Sequence, residues 1–326
     1  DSAGSSPGPV CYGRGGTQVT ISDANLLLGR LPAARFGQAA AAARAAMEAQ
    51  IAAPLGLTVE EAAEAVLRIA NTHMAGAIRM VSISMGADPR DFALFAFGGA
   101  GPLHAVALAR ELAVPKVLVP ARPGLTNALG CVVADLRHDF VRTLNRPLDV
   151  ADMAQVQAIL AGQEAEGRRL ITAEKLALRS VRAEFSADMQ FIGQTHLLRI
   201  ALPGPEVGRE EIQRRFEAAY WARFKVELPQ VRANLVNLNC SVIGARPELD
   251  LSRLIDPAGR GQAVPSGTRR VWFGGWRDVP VYWRDHLPLA LDLQGPAIIE
   301  QMDTTVIVEP GCRVTSDADG NLIVEV

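Results

Sequence analysis

The stretch from Phe95 to His104 contains the residues whose types and spacing most directly suggest ligand chemistry. Apolar residues run into Gly98-Gly99-Ala100-Gly101, and Pro102 then suits the first turn of a helix. Glycines let the backbone approach a ligand closely, and a helix N-terminus offers free N–H groups and a positive dipole end. The sequence predicts either a nucleotide-binding turn between a strand and a helix or a tight turn that needs glycine without a ligand. Its spacing matches neither GxxxxGK[ST] nor GxGxxG.

Polar residues near the N-terminus are further candidates. Asp23 and Asn25 follow a short strand predicted at 17–21 and could approach the ligand from the glycine-rich segment before it. Asp23 also suits the cap of a short helix. Arg14, between two glycines, carries a planar guanidinium that matches a phosphate or a carboxylate, or it is an exposed loop arginine.

Two predicted helices carry the remaining candidates. Asn71 and His73 interrupt the apolar spacing of a long helix, where His73 is interpreted as a core histidine and Asn71 could contact a nucleotide near the glycine turn. His104 lies in the first turn of the helix after the glycines and either hydrogen-bonds a ligand or caps a neighbouring loop. For Asp135 an ordinary surface role is favoured.

Composition excludes several classes of function. The formal net charge of −2 gives no basic footprint, so we expect neither nucleic acid nor a membrane as a partner. The four cysteines form no CxxC pair and are expected to be buried free thiols in a reducing cytoplasm. The five histidines are far apart in sequence, so no metal site is predicted within the chain. Every hydrophobic stretch is interrupted before the roughly 18 residues that a membrane span needs.

The predicted elements divide the chain into two domains, 1–146 and 147–326. The first alternates helices and strands, which implies a parallel α/β layer, and the second is α+β with a β-rich end. Strong local signals are the capping box Thr58-Val59-Glu60-Glu61 and the alternating strand 181–191. The elements are helices at 38–53, 58–86, 102–112 and 124–134, strands at 92–97 and 116–119, a helix at 151–176, strands at 181–191 and 195–202, a helix at 212–224 and a hairpin at 319–321.

Four blocks in one order carry a family resemblance. They are Gly8–Gly16 (GPVCYGRGG), Ser22–Leu31 (SDANLLLGRL), Phe97–Ala105 (FGGAGPLHA) with Pro123–Gly130 (PGLTNALG), and the tail from Gly295–Gln301 (GPAIIEQ) to Gly320–Leu322. Together they resemble the hydantoinase A, 5-oxoprolinase and acetone carboxylase β-subunit family.

The resemblance implies a fold and cofactors. The first domain would be the C-terminal lobe of an actin-like (ASKHA, ribonuclease H-like) ATPase, and Gly98, Gly99, Ala100 and Gly101 would be its adenosine turn. ATP and Mg²⁺ would serve the complete enzyme, because activating a carbonyl by phosphoryl transfer needs both. We assign Arg14 and Asn71 as further cofactor contacts and Asp23, Asn25 and His104 as catalytic candidates.

The same resemblance implies partners and a reaction. The acidic phosphate hairpins of the family are not found in this sequence, so the chain is expected to be inactive alone and to need an N-terminal ATPase lobe and a hydantoinase B type subunit. The implied reaction phosphorylates a carbonyl to open a cyclic amide such as a hydantoin or 5-oxoproline. The alternatives are a subunit of a ketone carboxylase, which uses the same activation, and a non-catalytic assembly subunit. A dinucleotide oxidoreductase is disfavoured, since Arg122 lies where a ribose-binding acid is expected.

Overall fold

The computed structural model describes residues 2–250, 255 and 258–326. The chain folds into two compact units. One, here called the discontinuous unit, combines Asp1–Leu129 with Asp250–Val326, and the other, the inserted unit, is Gly130–Leu249.

The helices of the described residues begin and end close to the sequence signals. They are α1 (Ile21–Leu27), α2 (Ala39–Met47), α3 (Ala53–Leu55), α4 (Val59–Ser84), α5 (Gly101–Leu112), α6 (Thr126–Val133), α7 (Met153–Ala173) and α8 (Arg209–Phe224). Strong local signals explain this agreement. At α4 the Thr58 hydroxyl accepts from the Glu61 N–H while the Glu61 carboxylate accepts from the Thr58 N–H, so the predicted capping box is confirmed. Beyond its end Gly86 has φ +66°.

The strands of the described residues form three sheets. They are β1 (Ala93–Phe95), β2 (Lys116–Val119), β3 (Leu136–Pro147), β4 (Ser180–Phe191), β5 (Leu198–Leu202), β6 (Ala233–Ala245), β7 (Gly267–Trp272), β8 (Trp276–Trp283), β9 (Asp292–Gln294), β10 (Ala297–Glu300), β11 (Thr305–Val308), β12 (Arg313–Ser316) and β13 (Leu322–Glu325). The discontinuous unit holds the orders β1-β2-β13-β12-β9 and β11-β10-β8-β7, and the inserted unit holds β3-β6-β4-β5.

The five-stranded sheet joins the two ends of the chain. β1 and β2 are parallel, as predicted, and β13 pairs antiparallel with β2 from Leu322 opposite Val119 to Glu325 opposite Lys116. Buried residues of α5, β2, β11 and β13 share one hydrophobic core. The C-terminal strands therefore complete the sheet that carries the glycine turn.

The inserted unit is an antiparallel sheet with two helices. β4 lies between β5 and β6, and its alternating pattern buries Phe185, Ala187 and Met189, which confirms the half-buried strand predicted there. Side chains of α7 and α8 complete this core, including Leu160 and Phe216.

The compact units divide the chain differently from the predicted boundary near residue 146. β3 precedes that boundary but pairs with β6 over its whole length, so it lies in the inserted unit. The sequence predicts no return of the chain to the first domain, yet the segment from Asp250 belongs to the discontinuous unit and its last strand, β13, pairs with β2. Pairing between strands that are far apart in sequence determines the placement of both β3 and β13. Local sequence patterns do not show which distant strands pair.

Three local predictions were wrong. No strand forms at 17–21, because Thr20 caps α1 and Ile21 is already helical. The strand predicted at 92–97 is shortened to β1, which is an edge strand with exposed Phe95 rather than a buried one. His73 is exposed instead of packing in the core.

Candidate functional site

The glycine turn joins the end of β1 to the start of α5. The Gly98 N–H donates to the Pro123 carbonyl at 2.8 Å, and the Ala96 N–H donates to the Leu118 carbonyl at 2.8 Å. Since β1 and β2 are parallel, these bonds hold together the segments that follow the carboxyl ends of both strands. In α/β sheets such an edge is where ligands commonly bind.

The backbone conformation at Gly98 requires glycine, and the space around this residue is open. Gly98 has φ +80°, which L side chains rarely adopt, and no atom lies within 4 Å of where its Cβ would be. Gly99 and Ala100 are exposed. The Thr304 hydroxyl, which contacts the carbonyl oxygens of Gly98 and Gly99 at 3.3 and 3.1 Å, supports the turn from the other side. The turn is thus fixed on one face and accessible on the other.

Asp303, beside the turn, is a residue that the sequence analysis missed. Its backbone carbonyl would lie 3.3 Å from a Cβ at Gly99, and a Cβ at Gly124 would collide with its carboxylate. Both carboxylate oxygens are buried without a hydrogen-bond partner among the described residues. An unpaired buried carboxylate is unfavourable, so Asp303 is a candidate polar contact for a ligand on the turn. Only its place in the GlnMetAspThr segment after the family block could have drawn attention to it.

Three of the predicted site residues form one buried polar chain. The Asn25 side-chain amide lies 3.4 Å from His104 Nε2 and also donates to the Ile21 carbonyl at 3.1 Å. His104 Nδ1 lies 2.9 Å from Asn71 Oδ1. All three side chains are buried. This chain connects α1, α4 and the first turn of α5, and it therefore fixes the helix that starts at the glycine turn.

The hydrogen bonds assign the protonation of His104. An amide N–H of Asn25 faces Nε2 and an amide oxygen of Asn71 faces Nδ1, so the neutral ring with its proton on Nδ1 satisfies both partners. Burial, together with the positive charge of Arg30, lowers the pKa of His104 from 6.5 to about 4. His104 is neutral at pH 7 as a result. It suits a positioning role better than that of a cation facing phosphate.

Asp23 is buried in the N-terminal segment, and the structure engages its carboxylate fully. It accepts from the backbone N–H groups of Cys11 at 2.7 Å, Thr20 at 2.8 Å and Val10 at 3.3 Å, and from the Thr20 hydroxyl at 2.7 Å. Thr20, not Asp23, is the N-cap of α1, and Asp23 is the reciprocal residue of that capping box. Burial, and next the hydrogen bond to Asp23, raises the pKa of the Cys11 thiol to about 12. This geometry supports an architectural role for Asp23.

Arg14 is separate from the buried chain of Asn25, His104 and Asn71. It is exposed on the N-terminal loop, its Nη1 donates to the Ser5 carbonyl at 3.2 Å, and its guanidinium lies 5.9 Å from the Tyr12 ring. Asp135, for which a surface role was predicted, is exposed and accepts from the Arg246 N–H at 2.9 Å.

A metal-ligand cluster and a membrane-spanning helix are both absent from the part of the chain that the structure describes. Within 2–250, 255 and 258–326, no group of three or more His, Cys, Asp or Glu side chains is placed to hold a metal ion. No helix in those ranges is both long and apolar enough to cross a bilayer.

The fold and the turn define a mixed α/β protein with several sheets, and comparison with known proteins places it in a family. The hydantoinase/oxoprolinase family model matches residues 1–140, and the hydantoinase/oxoprolinase C-terminal domain model matches residues 148–323. The chain belongs to the hydantoinase/oxoprolinase family, and the resemblance carried by the four sequence blocks is confirmed.

Individual relatives agree with this assignment. Caprolactamase subunit alpha of Pseudomonas jessenii is 35% identical over 330 residues, covering 97% of this chain and 47% of the relative. 5-oxoprolinase 1 of Arabidopsis thaliana is 29% identical over 362 residues, covering 100% of this chain and 27% of the relative. The chain spans about half the length, 47%, of the curated relatives it matches first.

Two solved structures share the fold. The crystal structure of ATP-dependent caprolactamase from Pseudomonas jessenii superposes with a TM-score of 0.74 at 33% identity, covering 99% of this chain and 49% of that one. The nucleotide-free structure of acetone carboxylase superposes with a TM-score of 0.76 at 25% identity, covering 98% of this chain and 48% of that one.

Proposed function

We propose that this chain is part of an ATP-dependent enzyme that phosphorylates a carbonyl to open a cyclic amide, as a hydantoinase or 5-oxoprolinase does. The observation that carries the proposal is the open glycine turn at the start of α5, in a chain whose caprolactamase relative is an ATP-dependent enzyme. An amide carbonyl is a weak electrophile, and transfer of phosphate to its oxygen is the activation that ATP supplies when bound.

The discontinuous unit would serve as one lobe of an actin-like (ASKHA) ATPase, with adenosine resting on Gly98, Gly99, Ala100 and Gly101. Open space at Gly98 and the exposure of Gly99 support this placement. Asn25, His104 and Asn71 would hold the first turn of α5 in position behind the nucleotide, since they are buried and bonded to one another. Arg14 remains a candidate contact for phosphate, because its guanidinium is exposed. Direct catalytic roles for Asp23, Asn25 and His104 stay predictions, and their burial favours positioning roles.

The remaining catalytic parts would come from an N-terminal ATPase lobe and a hydantoinase B type subunit, and Mg²⁺ would be held there with the phosphates. Three relatives that are named as subunits, of caprolactamase, acetophenone carboxylase and acetone carboxylase, are about twice as long as this chain. An apolar surface supports the same view, because Val81 of α4 and Met85, which follows α4, are exposed and line one groove together with Ala93 and Leu94 of the edge strand β1. We propose that the N-terminal lobe covers this surface. All four cysteines are free, which fits a reducing cytoplasm, although Cys131 is exposed and the prediction that all four are buried was wrong for it.

A ketone carboxylase subunit is the second candidate. The acetone carboxylase structure supports it with a TM-score of 0.76 at 25% identity, whereas the caprolactamase structure supports amide opening with a TM-score of 0.74 at 33% identity. Enolate formation from a ketone and ring opening of an amide both gain from phosphorylating the carbonyl oxygen, so this chain could serve either substrate, a small cyclic amide or a ketone. An assembly subunit without catalysis is the third candidate.

Calorimetric titration of the 326-residue chain with ADP, Mg-ATP and NADH tests the nucleotide assignment. We expect weak binding of both adenine nucleotides, no ATP turnover by the chain alone, and loss of binding in Gly99→Val. Gly261→Val is the matched control, since Gly261 is an exposed loop glycine with open space around its Cβ position. Preference for NADH over ADP, or ADP binding that survives Gly99→Val, would contradict the proposal.

A further inference from the structure

A second cavity of about 480 Å³ lies in the discontinuous unit, away from the glycine turn. It is lined by α4, the later turns of α5 and the turn between β7 and β8, including Asn71, Ala107, Arg110 and Gly274. None of residues 98–101 lines it. Ala107 and Arg110 are six and nine residues after Gly101, which places them roughly 9 to 14 Å further along the helix axis. The volume is that of a small-molecule site.

Arg30 is the unusual residue of this cavity. Arg30 lines the cavity, and only 8% of the residue is exposed. Its Nε and Nη1 atoms are buried without a hydrogen-bond partner among the described residues. Its backbone is fixed, because its N–H donates to the Asn25 carbonyl at 3.0 Å and its carbonyl accepts from Arg269 at 3.4 Å. These two backbone hydrogen bonds hold Arg30 in place, so its guanidinium stays at the cavity.

Arg284 provides an internal comparison. It is 3% exposed, but its guanidinium donates to the Gln301 side chain at 3.3 Å and to the carbonyls of Val119 and Gly320 at 3.1 and 3.0 Å. This protein thus satisfies one deeply buried guanidinium with three oxygens and leaves another without them. Buried guanidinium groups are normally hydrogen-bonded. Arg30 departs from this, because its Nε and Nη1 have no hydrogen-bonded oxygen among the described residues.

The cavity is lined by one more cation than carboxylate, and the charges of Glu309 and Glu64 favour the Arg30 guanidinium without a hydrogen bond to it. Four arginines and three glutamates line it. Each glutamate is engaged: Glu64 accepts from Trp272 Nε1 at 2.9 Å, Glu309 pairs with Arg110, and Glu111 lies 3.8 Å from Arg79 and 3.4 Å from the Thr72 hydroxyl. Arg68 and Arg277 are both exposed, and neither makes an ion pair with another residue of the described ranges. Three guanidinium groups at this cavity, those of Arg30, Arg68 and Arg277, therefore have no carboxylate within ion-pair distance among the described residues.

We propose that this cavity binds a small anion with a carboxylate or phosphate group, with Arg30 as its deep contact and Arg68 and Arg277 at its mouth. A planar guanidinium matches both groups through paired N–H donors. Asn71 links the cavity to the buried chain, because it lines the cavity and its Oδ1 lies 2.9 Å from His104 Nδ1. An anion bound here would thus act next to the residues that hold α5.

The test uses thermal unfolding of the 326-residue chain with inorganic phosphate and, separately, with glutarate as a dicarboxylate probe. We expect at least one of the two to raise the Tm saturably, with an effect that weakens at high salt. The probe that binds identifies the ligand as a phosphate or a carboxylate. If neither raises the Tm, the proposal is wrong.

Arg30→Met and Arg277→Gln are the informative variants, and Arg270→Gln is the control. Arg270 lies on β7, whereas Arg277 lies on the neighbouring strand β8. The Arg270 guanidinium stacks on the Trp276 ring, and Arg270 does not line the cavity. We expect Arg30→Met to weaken anion binding at least tenfold. The Tm of the free protein should not fall, since the substitution removes a buried cation that has no hydrogen-bond partner. Arg277→Gln should weaken anion binding several-fold, and Arg270→Gln should leave anion binding unchanged. Unchanged anion binding in Arg30→Met or Arg277→Gln would overturn the proposal.

Titration with ADP separates this site from the proposed nucleotide turn. We expect ADP to bind Arg30→Met as it binds the unmodified chain, and the anion to bind Gly99→Val normally. Loss of ADP binding in Arg30→Met would show that the cavity is part of the nucleotide site, which contradicts an independent anion site.

Discussion

Removal of the Asp23 carboxylate would show whether this residue holds the N-terminal segment together or acts on a ligand. Three of the hydrogen bonds that it accepts are 2.8 Å or shorter, from the N–H groups of Cys11 and Thr20 and from the Thr20 hydroxyl. Hydrogen bonds to a charged group contribute about 1.5–3 kcal/mol each, and donors left buried add a further penalty. Because the Thr20 groups are only partly buried and can regain water, we expect Asp23→Ala to lose about 4 kcal/mol of unfolding free energy.

Urea unfolding followed by tryptophan fluorescence measures this loss, since Trp272, Trp276 and Trp283 all lie in the discontinuous unit. Thr20→Ala is the control and should cost only about 1 kcal/mol, the typical value of a cap. Hydrogen exchange at the Cys11 amide should accelerate about 10³-fold in Asp23→Ala if opening there becomes easier by the same 4 kcal/mol. A loss below about 1 kcal/mol together with loss of ADP binding would refute the architectural role.

Three further predictions concern His104, Gly29 and the thiols. Because the pKa of His104 is about 4 in the folded chain and 6.5 when unfolded, the unfolded state binds more protons between these values, so this contribution to stability is complete above pH 6.5 and disappears as the pH falls to 4. Between pH 6.5 and pH 4, urea titrations should show the unfolding free energy of His104→Gln falling by about 3 kcal/mol less than that of the unmodified chain. Equal falls in the two proteins would contradict the assignment. Gly29→Ala should lower the Tm by several degrees in calorimetry, because Gly29 has φ +76° and an added Cβ would collide with the Arg270 carbonyl, whereas Gly37→Ala, strained in φ but in open space, should be milder. A thiol reagent should modify one cysteine quickly in the folded chain, the exposed Cys131, and Cys131→Ser should abolish that fast phase, since Cys11, Cys240 and Cys312 are buried with raised pKa values.

Elements with strong local signals could be predicted from the sequence. The capping box at Thr58, the glycine-to-helix transition before α5 and the alternation in β4 each involve groups within a few residues of one another. Their hydrogen bonds and side-chain periodicity are therefore present in the sequence itself. The error at 17–21 has the same origin, because the β-branched residues there suggested a strand while the Thr20 and Asp23 side chains favoured a helix start.

The candidate site was predicted only as separate residues. Asn25, Asn71 and His104 were each identified with a structural alternative, but nothing in the sequence placed them in contact, since His104 is 79 residues from Asn25 and 33 from Asn71. Arg30 was part of a family block without being identified as a site residue, because the sequence does not show that α4 and the β7–β8 turn line one cavity with it.

The sequence by itself determined the family, the positions of most helices and the glycine turn, because these depend on residue types and short-range spacing. Only the tertiary structure decided that β13 pairs with β2, that β3 belongs to the inserted unit and that Arg30 is buried without a partner. Those outcomes depend on contacts between segments up to about 200 residues apart, whose free energy comes from shared burial and strand pairing rather than from any local pattern.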